Sequence, residues 1–158
     1  MPRERGEKVV ATNSRARHEY AIEKTYEAGL VLTGTEVKSL REGRANLSDG
    51  YAYIDNGEAY LDAVHIPEYS QGHWTNHSSK RTRKLLLHKE EIVKLSHAIS
   101  AGGYTLIPLK LYFSDGRAKV EIAVAKGKRE FEKRQTIRER EDKREAERAM
   151  RSRNRLGD

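Results

Sequence analysis

From Lys119 to Ala125 the chain alternates, with Val120, Ile122 and Val124 on one side and Lys119, Glu121 and Ala123 on the other. A period of two predicts a half-buried β-strand. Past Lys126-Gly127-Lys128 the apolar positions almost stop. Upstream, Tyr20–Thr33 reads as a strand that Ala28-Gly29 allows to bend or bulge. Thr33–Gly43 reads as a short helix: Thr33 or Thr35 caps it, Glu36 favours its positive end and Gly43 stops it. Val37 and Leu40 share its inner face and leave Lys38, Arg41 and then Arg44 outward. Leu47–Ile54 and Glu58–Ile66 flank Asp55-Asn56-Gly57, a hairpin turn that needs positive φ. Lys84–Leu87 is a short apolar run ahead of a helix over His88–Ala101, with Ile92, Leu95 and Ile99 inward and Gly102-Gly103 at its end. Tyr104–Ser114 and Arg117–Ala125 form a second hairpin through Asp115-Gly116. Pro108 cannot donate to a ladder, so an edge or a bulge is expected there. The resulting fold class is mainly β with short helices, a small antiparallel barrel of the OB type.

Charge divides the chain. Residues 126–158 hold 13 Lys/Arg and 8 Asp/Glu, a net of +5 out of a total of +7, which leaves +2 for everything before. Three segments follow: a basic, disordered N-terminal arm (residues 1–12), a barrel (13–125) and a basic tail (126–158). A charged fraction of 35% with so basic a tail points to a polyanion, nucleic acid before membrane. No apolar run approaches the ~20 residues that span a bilayer, and MPRERGEKVVA lacks the apolar core of a signal peptide. There is no cysteine, so disulfides and thiolate metal sites are excluded and a cytoplasmic location is expected.

Residues 67–83, PEYSQGHWTNHSSKRTR, lack periodicity and bring Tyr69, His73, Trp74 and His77 among Lys80, Arg81 and Arg83. Rings among cations suit unpaired bases and phosphates. His73 and His77 have a metal-like i,i+4 spacing, but with no third ligand nearby no metal or other cofactor is expected. The six histidines are scattered and pair with no nucleophile, so no enzyme is expected either. The tail lacks the apolar face of a membrane-surface helix.

Segments Ala11–Glu23 (ATNSRARHEYAIE), Glu27–Asp49 (EAGLVLTGTEVKSLREGRANLSD), Arg81–Ile92 (RTRKLLLHKEEI), Ile107–Phe113 (IPLKLYF) and Val124–Arg134 (VAKGKREFEKR) go further. Together they resemble the small protein B family, the tmRNA-binding (SsrA-binding) proteins of bacterial trans-translation. The resemblance covers about Ala11 to Met150. It implies a closed OB-like barrel that binds the tRNA-like domain of tmRNA. It also implies delivery of tmRNA to stalled ribosomes, with elongation factor Tu in the alanyl-tmRNA complex. A constitutive ribosomal or initiation-type OB protein is the alternative; it fits the composition but not the combination of segments.

The RNA face implied by the resemblance falls on Asn13, Arg15, Glu27, Lys38, Arg83, Leu86, His88 and Lys119. Arg15, Lys38, Arg83 and Lys119 suit phosphates, and Asn13 and His88 suit sugar or base edges. Glu27 accepts from a 2′-hydroxyl or an exocyclic amine or orients a cation, and Leu86 packs on a splayed base. From the residues alone, Leu86 belongs to the core.

In the tail the implied ribosome-binding positions are Gly127, Lys128, Arg129, Phe131, Glu132, Lys133, Arg134 and Met150, with Glu132 where Asp is usual. Phe131, Ile137, Met150 and Leu156 are too few to bury a face, so an isolated helix is not expected. Helix formers dominate, and Glu130-Arg134, Glu139-Lys143 and Glu147-Arg151 are ordered i,i+4 pairs worth roughly 0.2–0.5 kcal/mol each. The expectation is a tail disordered when free and helical when bound at the decoding centre and in the empty mRNA channel.

Overall fold

In the computed structural model, residues 6–67, 79–128 and 130–156 are described, with only the backbone for 130–136 and 152–156. Tyr69, His73, Trp74, His77 and Arg129 lie outside that description. The elements run β1 (Glu7–Thr12), α1 (Ala16–Glu19), β2 (Tyr20–Leu30), α2 (Gly34–Arg41), β3 (Tyr51–Asp55) and β4 (Glu58–Asp62). After these come β5 (Arg83–Leu86), α3 (Lys89–Ser100), β6 (Thr105–Ser114), β7 (Arg117–Gly127) and α4 (Glu130–Leu156).

All strand pairings are antiparallel, in the order β1-β6-β3-β4-β5-β2-β7, and β6 also pairs with β7. The pairing therefore returns to where it began, while β1 adds to the outer side of β6. The β3–β6 seam is a single pair, Ala52 with Leu106. Inward residues of the strands, with Leu40, Leu47 and Leu95, make the main core. A smaller cluster sits on the opposite face, where Ala16 covers Ile107, Leu109, Ala123 and Ala125. The late part of β7 is thus buried on both faces, and Ala123 belongs to a second core instead of facing solvent.

The turn chemistry is as read. Asn56 and Gly57 (φ 49° and 75°) turn β3 into β4, and Asp115 and Gly116 (49° and 81°) turn β6 into β7. Thr33 caps α2 in a reciprocal box with Glu36, and β6 slips register between Pro108 and Lys110.

Three further expectations are corrected. Residues 7–11 are not a disordered arm: Glu7–Thr12 is a strand paired with β6, an edge strand that needs little buried surface of its own. The bulge of β2 lies at Ile22/Lys24, not at Ala28-Gly29. β7 runs to Gly127, and Lys128 donates its backbone N–H to Glu19 O (2.9 Å), so the body extends past residue 125. In α4 the described side chains, 137–151, are all exposed.

Candidate RNA-binding face

The register sets the face. Gly29 of β2 lies between Leu86 of β5 and Lys119 of β7, and Lys119 is opposite Tyr112 of β6. Directly opposed residues point to the same side of a sheet, so Leu86, Gly29, Lys119 and Tyr112 form one outward row. Two residues along, Glu27, Glu121 and Lys110 form the next row.

Leu86 is 55% exposed. Its strand reads buried-exposed-buried-exposed from Arg83, which puts Leu85 in the core and Leu86 outside. A Cβ on residue 29 would come within 3.2 Å of Leu86 Cβ, so the bare backbone of Gly29 lets the leucine lie flat on the sheet. A groove here is lined by Leu32, Val37, Leu86, Arg117 and Lys119 among others. Lys38, exposed on α2, is next in sequence to Val37.

Charges are interlocked on this face. Tyr112 O–H donates to Glu27 Oε2, and Lys119 Nζ is 4.0 Å from Glu27 Oε1. Lys110 Nζ donates to Glu7 Oε1 (2.7 Å), stands 3.9 Å from Glu121 Oε2 and lies 4.8 Å from the centre of the Tyr112 ring. Burial, and then the Glu27 hydrogen bond, push the Tyr112 phenol well above its ordinary value, so it remains a donor.

Arg83 is the principal correction. It is 0% exposed, and each of its side-chain nitrogens donates within the protein. Nε reaches Glu36 Oε2 (2.6 Å), Nη1 reaches Val64 O (2.7 Å) and Nη2 reaches Ser79 O (3.0 Å). Arg81 Nη2 bonds the other Glu36 oxygen at 2.5 Å. Arg83 is therefore no phosphate contact; it ties β5 to the N-terminal end of α2 and to the chain near Ser79. Burial alone would raise the carboxyl of Glu36, but hydrogen bonds from Arg81, the Thr33 N–H and Arg83 outweigh it and hold the group below its ordinary value.

The other positions spread over the surface. Asn13 directs its Nδ2 to Pro108 O (3.1 Å) and its backbone N–H to Leu109 O (2.7 Å), so it braces the β6 bulge. It also lines a polar cleft with Arg15, Asn46 and Ser48. Arg15 is exposed at the start of α1, and exposed His88 precedes α3, donating its backbone N–H to Glu91 Oε1 (3.1 Å). Glu27, Leu86 and Lys119 thus come together on one face, while Lys38 is exposed on α2 and is not among the residues lining their groove. Sequence reasoning missed Gly29 and Tyr112; the one signal for both is strand phase, since each shares the parity of an outward residue on its own strand. At the root of the tail, Lys128 Nζ donates to Arg17 O (2.8 Å). Met150 is exposed, and Gly127 ends β7.

Among the described residues no group of His, Asp or Glu is placed to hold a metal, and no helix is long and apolar enough to cross a membrane. The family model described as SmpB protein matches residues 10–152. The SsrA-binding protein of Clavibacter michiganensis subsp. michiganensis is 72% identical over 158 residues, the whole of both chains. That of Streptomyces coelicolor is 61% identical over 150 residues, covering 95% of this chain and 94% of its own. A solved structure described as "tmRNA-SmpB: a journey to the center of the bacterial ribosome" is 46% identical with a TM-score of 0.65, covering 76% of this chain and 85% of the other. A family match over nearly the whole length, and relatives of such identity, have one consequence: the chain belongs to the SmpB family.

Proposed function

We propose that this chain binds the tRNA-like domain of tmRNA through the outer face of β5, β2 and β7 and delivers it to stalled ribosomes for trans-translation. The observation that carries this is the row in which half-exposed Leu86 and partly buried Lys119 flank Gly29, with Glu27 beside them. A leucine left in water on a basic chain is suited to the face of a splayed base. Lys119 supplies a phosphate contact, and Glu27 an acceptor that tells a 2′-hydroxyl or an amine from a phosphate. Arg15 and Lys38 extend the phosphate track, and Asn13 and His88 reach sugar or base edges. The return pairing of β6 to β7 supports reading the sheet as a closed OB-like barrel.

The tail beyond Lys128, with Gly127 and Lys128 at its root, is the ribosomal part. It folds on rRNA at the decoding centre and in the empty mRNA channel. Gly127, Lys128, Arg129, Glu132, Lys133, Arg134 and Met150 line that contact, and Phe131 stacks on a base. The protein acts by binding, in the cytoplasm, alongside elongation factor Tu on alanyl-tmRNA.

The test is crosslinking in a bacterial lysate followed by sequencing of the recovered RNA. tmRNA should dominate; recovery of mainly rRNA would make this a constitutive ribosomal protein. A second measurement localises the face. Lys119→Ala should weaken binding to the tRNA-like domain and reduce the salt slope by roughly 0.7–0.9 log units, the loss of one phosphate contact. An unchanged slope would remove Lys119 from the interface.

A further inference from the structure

On the outer sheet, Tyr112 and Lys119 compete for one carboxylate. Tyr112 is 3% exposed, and its hydroxyl holds Oε2 of Glu27, a side chain 55% exposed. Lys119 Nζ stops 4.0 Å from Oε1, at the outer limit of an ion pair. Three features fix the tyrosine. Its ring is buried in the sheet, it lies beneath Lys110, and Lys110 is held by Glu7 of β1 and flanked by Glu121 of β7.

We infer that Tyr112 is a positioning residue for the RNA face, its hydroxyl holding Glu27 short of Lys119 so that carboxylate and ammonium are presented to RNA as separate groups. With Oε2 committed to tyrosine, Oε1 remains the acceptor for a 2′-hydroxyl or an exocyclic amine. Lys119, not drawn into a close pair, remains able to meet a phosphate. Without the tyrosine hydroxyl, Glu27 loses the hydrogen bond that opposes its closing on Lys119. Among the described residues Lys110 is the one other cation shown to act on Glu27, and it is already held by Glu7. Closure of Glu27 on Lys119 takes both groups out of the ligand's reach, because a carboxylate and an ammonium in contact neutralise each other. Exposed pairs of this kind gain little stability, so the effect falls on recognition and not on folding. Glu7 gives β1, otherwise an added edge strand, a part in the same face through Lys110.

The inference rests on the proposed contact between Glu27 and RNA, and the experiment separates the two. The affinity of the full chain for the tRNA-like domain of tmRNA is measured against salt for wild type, Glu27→Gln, Tyr112→Phe and the double variant. Tyr112→Phe is near-isosteric and leaves a solvent-accessible carboxylate, so its melting curve should match wild type; a collapsed fold would show Tyr112 to be structural and overturn the assignment. Affinity should fall roughly tenfold, the worth of one hydrogen bond to a charged group. The salt slope should also drop by roughly 0.7–0.9, as if Lys119 had been removed. Glu27→Gln in the Tyr112→Phe background should restore that slope, because an amide cannot clamp the ammonium. An unchanged slope in Tyr112→Phe, or no recovery in the double variant, would overturn the positioning role. A fourth variant, Glu27→Ala, removes the acceptor altogether, and wild-type affinity there would instead remove Glu27 from the RNA contact.

Discussion

Arg83→Ala is expected to cost roughly 3 kcal/mol of stability, the low end for breaking a buried charge pair, because Arg81 and the Thr33 N–H still hold the other oxygen of Glu36. In a chain of this size that lowers the melting temperature by on the order of 10 °C. The guanidinium is wholly buried on Glu36 Oε2, Val64 O and Ser79 O, and alanine would take its donors from all three, leaving Ser79 O the Ile66 N–H and Glu36 the bonds to its other oxygen. Urea denaturation checks the cost. An Arg83→Ala protein that unfolded like wild type but had lost a salt-dependent RNA contact would return Arg83 to the interface.

The same cluster has an acid signature. Glu36 has a folded-state pKa below its ordinary 4.5, so its stabilising contribution is complete above that value and is lost as pH falls through the depressed one. Glu36→Gln should be less stable at neutral pH and should lack this part of the acid transition. A variant whose acid unfolding overlay that of wild type would place the acid sensitivity elsewhere.

Removing the tail should abolish rescue and spare tmRNA binding. The cut belongs after Lys128, because Tyr20 pairs with Gly127, Ala21 pairs with Lys126 and the Lys128 N–H meets Glu19 O. A cut at residue 125 would disturb the body as well and confound the result. The chain cut after Lys128 should bind the tRNA-like domain with wild-type affinity and fail to support peptide transfer to alanyl-tmRNA. Within the full chain, Phe131→Ala should cost roughly 1–3 kcal/mol, the range for a base–aromatic stack. Lys133 and Arg134 changed to Glu should be worse than both changed to Ala, since glutamate keeps the helix propensity but inverts the attraction to rRNA. The measurement is transfer rate on ribosomes whose mRNAs extend different lengths past the decoding site. A rate indifferent to that length, and to the tail variants, would reduce α4 to a solvated charge run.

What was legible in the sequence was local. Asn56-Gly57 and Asp115-Gly116 announce their turns, Thr33 or Thr35 announces a cap that proves to be Thr33, and Pro108 announces an edge or a bulge that proves to be a bulge, because each acts through neighbours in the chain. β1 was not legible: Glu7, Lys8 and Val9 are exposed and gain their strand only by pairing with residues of β6. Arg83 carried a faint signal, since it shares strand phase with Leu85, a core residue, while Leu86 falls out of phase. Composition argued the other way, as an arginine in a basic run suggests phosphate, and what decided its role was Glu36, 47 positions away. Glu27, Leu86 and Lys119 were grouped through the family resemblance. What the residues could not reveal was that Gly29 separates Leu86 from Lys119 and that Tyr112 reaches Glu27, because both depend on register among four strands.

That register also sets an order in time. The β3–β4 and β6–β7 hairpins close over a few residues, but Ala28 of β2 waits for Val120, 92 positions later (120 minus 28), and Glu7 waits for Ser114. Such distant pairings form late, since the chain must close a long loop before any contact rewards it. A chain made from its N-terminus therefore holds β2 without its main partner until nearly the whole body has been synthesised. The proposed RNA face is divided between those early and late strands, so on that reading it comes into being only with the late pairings of β7. A nascent chain arrested before β7 emerges should be unable to capture tmRNA, and capture at that stage would contradict this order. Newly made protein thus begins to bind only when it is almost ready to leave the ribosome that made it.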